Sequence, residues 1–251
     1  MYIDSLLSNF LSDCRNVADE FQLRDLLVDI TTTLGFEQFA LVNHVDLAGP
    51  PSGAMVLMSY DDGWIDRAIT KRYFVDDPIH AASTRTVTGF LWRDVPRMLA
   101  LSHRQERILE EACAFGLREG LTVPVHAPGE YRGTCSFARR AVIDLSANLL
   151  GAAQIVATFA FEAARRLLRN RWRHPDDLPV IPVLSPRQLD CVSLVACGRG
   201  DGEIAFILGL SEPTVHQHIN EAMRRYGVGK RTQLVVRALF DGQICYRQAV
   251  R

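Results

Sequence analysis

Apolar residues recur at intervals of three and four through DSLLSNFLSDCRNVADEFQLRDLLVDITTTLGF, residues 4–36, which predicts one or two amphipathic helices stopping at Gly35. QFALVNHV then alternates, so a strand over 38–45 sends Phe39, Leu41 and Asn43 to one side and Ala40, Val42 and His44 to the other. GAMVLMS at 53–59 reads as a second strand after Gly49-Pro50-Pro51. Helical periodicity returns at 61–73, 77–85 and 102–115, LTVPVHAPGEYRGTCSFAR reads as a hairpin around Pro128-Gly129-Glu130, and an apolar stretch at 145–170 predicts a long helix. Helices, two strands, helices, two strands and a helix favour a largely antiparallel sheet covered on both faces over βαβ repeats.

The pattern changes after residue 173. RRLLRNRWRHPDDLPVIPVLSP ends a helix in arginines and then meets Pro175, Pro179, Pro182 and Pro186, a spacing no helix tolerates. A connector over 174–183 therefore separates a domain at 1–173 from one at 184–251. The second contains only short helical patterns, at 186–197, 201–208, 212–225 and 230–240. Ser185 with Gln188 three residues on, and Ser211 with Thr214 three on, are cap signals. A three-residue turn, Gly209-Leu210-Ser211, between two helices fits a helix-turn-helix. The helix from 212 presents His216, Gln217, Asn220 and Arg224 on one side, with Val215, Ile219, Ala222 and Met223 available to a core.

Charge supports the division. The 251 residues carry 28 Lys+Arg and 29 Asp+Glu, but residues 184–251 hold 9 and 6, leaving the first part net acidic and the second net basic. With 48 % hydrophobic and 23 % charged residues the chain is a folded protein, not a disordered one. The six cysteines form no CxxC pair and no Cys/His cluster, so neither a zinc site nor a disulfide scaffold is expected. No leader pattern or long uncharged apolar run is seen, which predicts a cytoplasmic protein without a membrane partner.

The C-terminal segment resembles the DNA-binding domain of LuxR-family transcription regulators through Leu184-Ser-Pro-Arg-Gln188, Ala196, Gly198, Glu203-Ile-Ala205, Leu208, Ser211, Thr214-Val215, His218, Arg231 and Val235. The resemblance implies a four-helix helix-turn-helix domain that binds double-stranded DNA as a homodimer, with 212–225 as recognition helix and RNA polymerase as a further partner. Gln217 and Asn220 carry amides suited to adenine. Arg224, Arg225, Lys230 and Arg231 are suited to phosphate, Thr214 to a cap or a phosphate, and His216 lies on the same polar side. Glu221, where relatives commonly have Asn, sets a carboxylate beside those arginines.

The N-terminal part is similar to the autoinducer-binding domain of LuxR-type quorum-sensing receptors through Tyr60-xxx-Trp64, Asp77-Pro78, Trp92, Gly116-Leu117-xx-Gly120, Pro124 and Gly133. An aromatic pair at i and i+4 is by itself more often core than pocket. The resemblance implies an α-β-α sandwich with a five-stranded antiparallel sheet, in an α+β chain, holding an N-acyl- or aryl-homoserine lactone as ligand and no cofactor or metal. It assigns Asp77 to the ligand N–H, Trp64 to the lactone carbonyl, Tyr60 and Ser136 to the amide-side carbonyl, Trp92 to the wall by the ring, and Ala40, Val42 and His44 to the acyl chain. Ala68 and Ile79 depart from residues common in relatives. The long helix at 145–170, with Val156, Phe159, Phe161 and Ala163, is the candidate dimer surface, the alternative being that these residues pack inside the first domain. Other readings are a family member answering to another small molecule or to none, an enzyme, and a phosphorylated response regulator. No G-x-S-x-G, H-E-x-x-H or P-loop supports the enzyme, and no receiver-like strand order supports the last.

Overall fold

A computed structural model describes residues 2–51, 53–127, 130–141, 147–171 and 181–245. Most of the expected connector, the hairpin turn at Pro128-Gly129 and the first residues of the expected 145–170 helix lie outside them. The chain forms two compact units, one of residues 1–126 and 131–174 and the other of residues 127–130 and 175–251.

The first unit runs α1 (Tyr2–Asn16), α2 (Glu20–Thr33), β1 (Gln38–Asn43), β2 (Val56–Met58), α3 (Asp62–Thr70), α4 (Pro78–Ser83), β3 (Phe90–Leu91), α5 (Val95–Met98), α6 (His103–Cys113), β4 (Glu119–Pro124), β5 (Gly133–Arg139) and α7 (Ala147–Arg171). The five strands make one antiparallel sheet in the order β2-β1-β5-β4-β3. Register sets Met58, Ala40, Ser136, Thr122 and Phe90 side by side across all five strands, and Val42 beside Thr134 in the next row. Because successive side chains alternate, these rows share one face, and Phe39, Leu41, Cys135, Phe137, Leu121 and Val123 share the other. Helices α2 and α7 contact β1 from one side of the chain, and α4 contacts β4 and β5. Every residue of β1 from Phe39 to Asn43 is buried, so its alternation is one of direction and not of polarity.

Several expected elements are shorter. β1 stops at Asn43, two residues early, because the Val45 N–H turns back to the Asn43 carbonyl. β2 spans three residues of the seven expected. The helix expected over 61–73 breaks where Arg72 takes a left-handed φ of 53°, and Tyr73–Val75 form a separate 3₁₀ turn. β3, two residues long, is absent from the residue pattern altogether.

The expected surplus of apolar residues on α7 is largely accounted for inside the unit. Val156, Phe161 and Ala163 are buried, and Phe159 alone of the four is partly exposed. The helix lies against α1 and α2 as well as against β1, β4 and β5, so it needs more than one inward stripe. Arg166 on the same helix donates to the Cys14 and Val17 carbonyls at the C-terminal end of α1.

The second unit is helical: α8 (Pro186–Ala196), α9 (Asp201–Leu208), α10 (Glu212–Arg225) and α11 (Arg231–Phe240). Ser185 and Gln188 make both bonds of a capping box at the start of α8, and the Ser211 hydroxyl accepts the Thr214 N–H at the start of α10. Gly209 ends α9 in the left-handed conformation, φ 64°, which lets the chain turn within three residues into α10. The core gathers Leu184, Cys191, Val192, Ile204, Val215, Ile219, Ala222, Leu234 and Ala238.

Candidate functional site

Between the Ala40/Ser136 face of the sheet and the α3–α4 side lies a cavity of about 100 Å³, on a scale where one water needs about 10–15 Å³. Its walls include Ala40, Val42, Tyr60, Trp64, Asp77, Trp92 and Ser136, so seven of the eight residues expected to touch a ligand are brought together. The eighth, His44, is a correction: it does not line this cavity. The alternation that placed it beside Ala40 and Val42 ends with β1 at Asn43. Its ring instead stacks on His80, centroids 3.9 Å apart, and His80 is the wall residue.

Local structure explains how each polar group is held. Asp77 is the N-cap of α4, with Oδ1 accepting the N–H groups of Ile79 (2.8 Å) and His80 (3.2 Å) and Pro78 at the first helical position. Oδ2 makes no hydrogen bond and lies 3.9 Å from His80 Nε2. Trp92 donates its indole N–H to Thr122 Oγ1 at 2.8 Å, and Thr122 Oγ1 is 2.8 Å from Ser136 Oγ. Tyr60 also lines the cavity, its phenol pushed well above its ordinary pKa by burial and then by the Asp77 charge. Trp92 therefore has its polar atom satisfied by protein and offers the cavity only its ring. That ring lies flat on Gly120, where a Cβ would stand 2.4 Å from Trp92 Cε2. Trp64 packs between Tyr73 and Phe115, ring centroids 5.8 and 5.7 Å away.

Tyr73 also fixes the outer wall, because its hydroxyl and the Arg67 guanidinium both donate to Glu111 on α6. These hydrogen bonds, Arg67 foremost, hold the Glu111 carboxyl down at about 2.

Sequence reasoning missed Thr122, His80 and Thr134. Thr134 stands two residues before Ser136 on the same strand, a spacing that already gives it the same face. Both Thr134 Oγ1 and His80 Nδ1 are buried without a hydrogen-bond partner, as is His44 Nε2. Burial, then neighbouring His80 and His126, lowers the His44 pKa to about 2, so that ring is neutral. His126 sits edge-on to His44 at 6.0 Å; its Nδ1 accepts the Gly133 N–H, and its Nε2 lies 3.3 Å from the Ser83 carbonyl. Among the described residues no group of three His, Cys, Asp or Glu is arranged to hold a metal ion.

In the second unit α10 divides as its spacing predicted. Val215, Ile219 and Ala222 are buried, and His216, Gln217, Asn220, Arg224 and Arg225 are exposed, with Lys230 exposed just before α11. Thr214 is half-buried, its hydroxyl 2.8 Å from Ser211 Oγ. The basic groups are engaged within the unit. Arg231 binds Asp201 through two bonds of 2.6 and 2.7 Å, and His216 Nδ1 is 3.2 Å from the same carboxylate. Arg224 reaches both oxygens of Glu221, and Arg225 reaches Glu221 and the Val183 carbonyl.

Residues 19–164 match the family described as autoinducer binding domain, and residues 182–238 match the bacterial regulatory proteins of the luxR family. The HTH-type transcriptional regulator y4qH of Sinorhizobium fredii is 32 % identical over 192 residues, 75 % of this chain and 56 % of that protein, so the match spans little more than half its length. The transcriptional activator protein AhyR of Aeromonas hydrophila is 28 % identical over 244 residues, covering 95 % of this chain and 92 % of that one. Among solved structures, SdiA of Escherichia coli has a TM-score of 0.60 at 22 % identity over 95 % of this chain and 97 % of that one, a likeness of fold. These relatives are regulators and not enzymes, and among the described residues no helix is long and apolar enough to cross a membrane. With an autoinducer-binding domain followed by a luxR-type helix-turn-helix, the chain belongs to the LuxR-type transcription regulators.

Proposed function

We propose that this regulator works in quorum sensing by binding an N-acyl- or aryl-homoserine lactone in the cavity of its first unit, and that it controls transcription as a dimer on an inverted-repeat DNA site. The observation that carries the ligand class is Asp77. Its Oδ1 is spent on the cap of α4 while Oδ2 keeps its acceptor capacity in a largely apolar cavity, which suits an amide N–H. The Tyr60 phenol and the Ser136 hydroxyl, the latter bonded to Thr122, are the donors offered to a ligand carbonyl. Trp64 supplies a further donor, and Ala40 and Val42 an apolar wall on which each buried methylene contributes about 0.8 kcal/mol. Gln217 and Asn220 read base edges, Thr214, Arg224, Arg225 and Lys230 contact phosphates, and Arg231 and His216 set the entry of α10. A two-fold dimer then spaces half-sites by about one helical turn, roughly 34 Å.

The test is expression of the full chain with and without a panel of acyl- and aryl-homoserine lactones, followed by mass spectrometry of what co-purifies and by melting curves. A ligand at about a hundredfold its Kd adds roughly 2.7 kcal/mol, or roughly 5–10 °C for a unit of this size. Asp77→Asn separates the two roles of the side chain. An asparagine oxygen still caps α4, so the unliganded melting temperature stays within about 2 °C, but the amide turns a donor towards the ligand N–H and the ligand-induced rise disappears. No retained lactone and no rise across the panel would sink the lactone reading and leave a family member that answers to another molecule or to none.

A further inference from the structure

The cavity has two polar regions, and the lactone reading uses only one of them. Tyr60, Trp64, Asp77 and Ser136 account for a lactone and its amide. Farther along β5, Thr134 follows the same face two residues away, about 7 Å, and His80 lines the wall one helical turn beyond the Asp77 cap. Thr134 is 1 % exposed, and neither its hydroxyl nor His80 Nδ1 has a partner in the protein. Hydrocarbon packed against both atoms would leave a hydroxyl and a ring nitrogen buried and unpaired, a loss of roughly five- to a hundredfold in affinity for each.

Resting on the lactone reading, we infer that this end of the cavity recognises a hydroxyl group carried on the acyl or aryl chain of the ligand, through His80 Nδ1 and Thr134 Oγ1. The inventory of donors selects that group. His80 Nδ1 accepts in one tautomer of the neutral ring and donates in the other, and no hydrogen bond at Nε2 selects between them, the Asp77 carboxylate oxygen being 3.9 Å away. Thr134 Oγ1 both donates and accepts. A carbonyl pairs with the imidazole only when the ring proton is on Nδ1, and an ammonium only when it is on Nε2. A hydroxyl, donor and acceptor in one group, pairs with Nδ1 in either tautomer and with Oγ1 in the complementary sense. The stacked His44 covers the face of the His80 ring and, being neutral, neither repels such a group nor supplies its proton.

The test uses the full-length protein and matched ligands: N-octanoyl-homoserine lactone against isomers hydroxylated at successive chain carbons, and N-phenylacetyl-homoserine lactone against its ring-hydroxylated forms. At least one hydroxylated ligand is expected to bind about ten- to a hundredfold more tightly than its parent by calorimetry. Thr134→Val, which keeps the shape, and His80→Phe, which keeps the stack on His44, each reduce that preference to less than about threefold, chiefly by tightening binding of the parent, which no longer buries an unpaired polar atom. Equal binding of parents and hydroxylated ligands by the unaltered protein overturns the inference and leaves the lactone reading standing, as does a preference that survives Thr134→Val. Binding of neither series overturns the lactone reading and this inference with it.

Discussion

The two units handle their polar groups in opposite ways. In the ligand unit the groups that matter are inside, and several are incomplete: Asp77 Oδ2, His80 Nδ1 and Thr134 Oγ1 surround a cavity where no protein atom completes them. In the DNA unit the core is apolar and the exposed charges are paired with one another, as Arg224–Glu221 and Arg225–Glu221. An unpaired buried polar atom depresses stability until something binds it, whereas an exposed ion pair changes partner at little cost. On the proposed function, the first arrangement couples ligand to folding by mass action, and the second keeps a surface ready to exchange an intramolecular carboxylate for a phosphate.

Filling the cavity wall from behind breaks the first half of that contrast most strongly. In Gly120→Ala the new methyl overlaps Trp92 Cε2, Cδ2 and Cζ2 at 2.4–2.7 Å, and a ring anchored through its N–H to Thr122 has no free direction to move. The overlap is relieved at the expense of the Trp92–Thr122–Ser136 chain. We expect a loss of about 3 kcal/mol in the first unit, with ligand binding lost as well, while the DNA unit melts as before. Differential scanning calorimetry separates the two transitions; a single transition shifted as a whole would show that the units are not energetically distinct.

How far this contrast could be read in the sequence follows the same line. Signals that act locally were legible: the Ser185/Gln188 box, the Ser211 cap, Gly209 ending α9 and the apolar stripe of α10 all lie within a few residues of what they determine. The ligand-domain assignments of Tyr60, Trp64, Asp77 and Ser136 came from resemblance, since nothing local distinguishes a pocket aromatic from a core one. β3 was invisible because a two-residue strand has no period, and it exists only because β4 offers it a partner. His44 was misplaced because alternation was extended past the turn at Asn43, and Thr134 was overlooked although the same alternation from Ser136 reaches it. His80 was hidden by its neighbour, since Asp77-Pro78 reads first as a helix start.

A smaller effect tests whether the charges of the DNA unit stabilise it. Asp201 is mostly buried at the start of α9, and its hydrogen bonds to Arg231, with His216 second, hold its carboxyl below the usual aspartate range. A depressed folded-state pKa contributes stability that is complete above the unfolded value, about 3.9, and is lost as the pH falls through the folded value. Asp201→Asn should therefore lower stability by about 1–2 kcal/mol at pH 7, some 4–16 °C in a domain of this size. The difference from the unaltered protein should shrink only in acid, below about pH 4. A difference that stayed undiminished below about pH 3 would show that the carboxylate charge is not what stabilises the unit.

The smallest change in stability, and the sharpest test of an exchangeable surface, belongs to Glu221→Gln. Arg224 is almost fully solvated and Arg225 is exposed, so their pairs with Glu221 contribute little to folding and the melting temperature should not move measurably. Near DNA the same carboxylate has to be displaced before either guanidinium reaches a phosphate, and its own charge opposes the backbone. Removing that charge should tighten binding to any duplex, operator or not, and steepen the fall of log K with log salt by about one for each arginine released to a phosphate. The effect should be uniform across sequences because phosphates carry no base identity, unlike that of Asn220→Ala, which alters the preference at particular positions. Unchanged affinity and slope would place Glu221 and its arginines off the DNA face, and the pairs there would be ornaments of a solvated helix instead of contacts held in reserve.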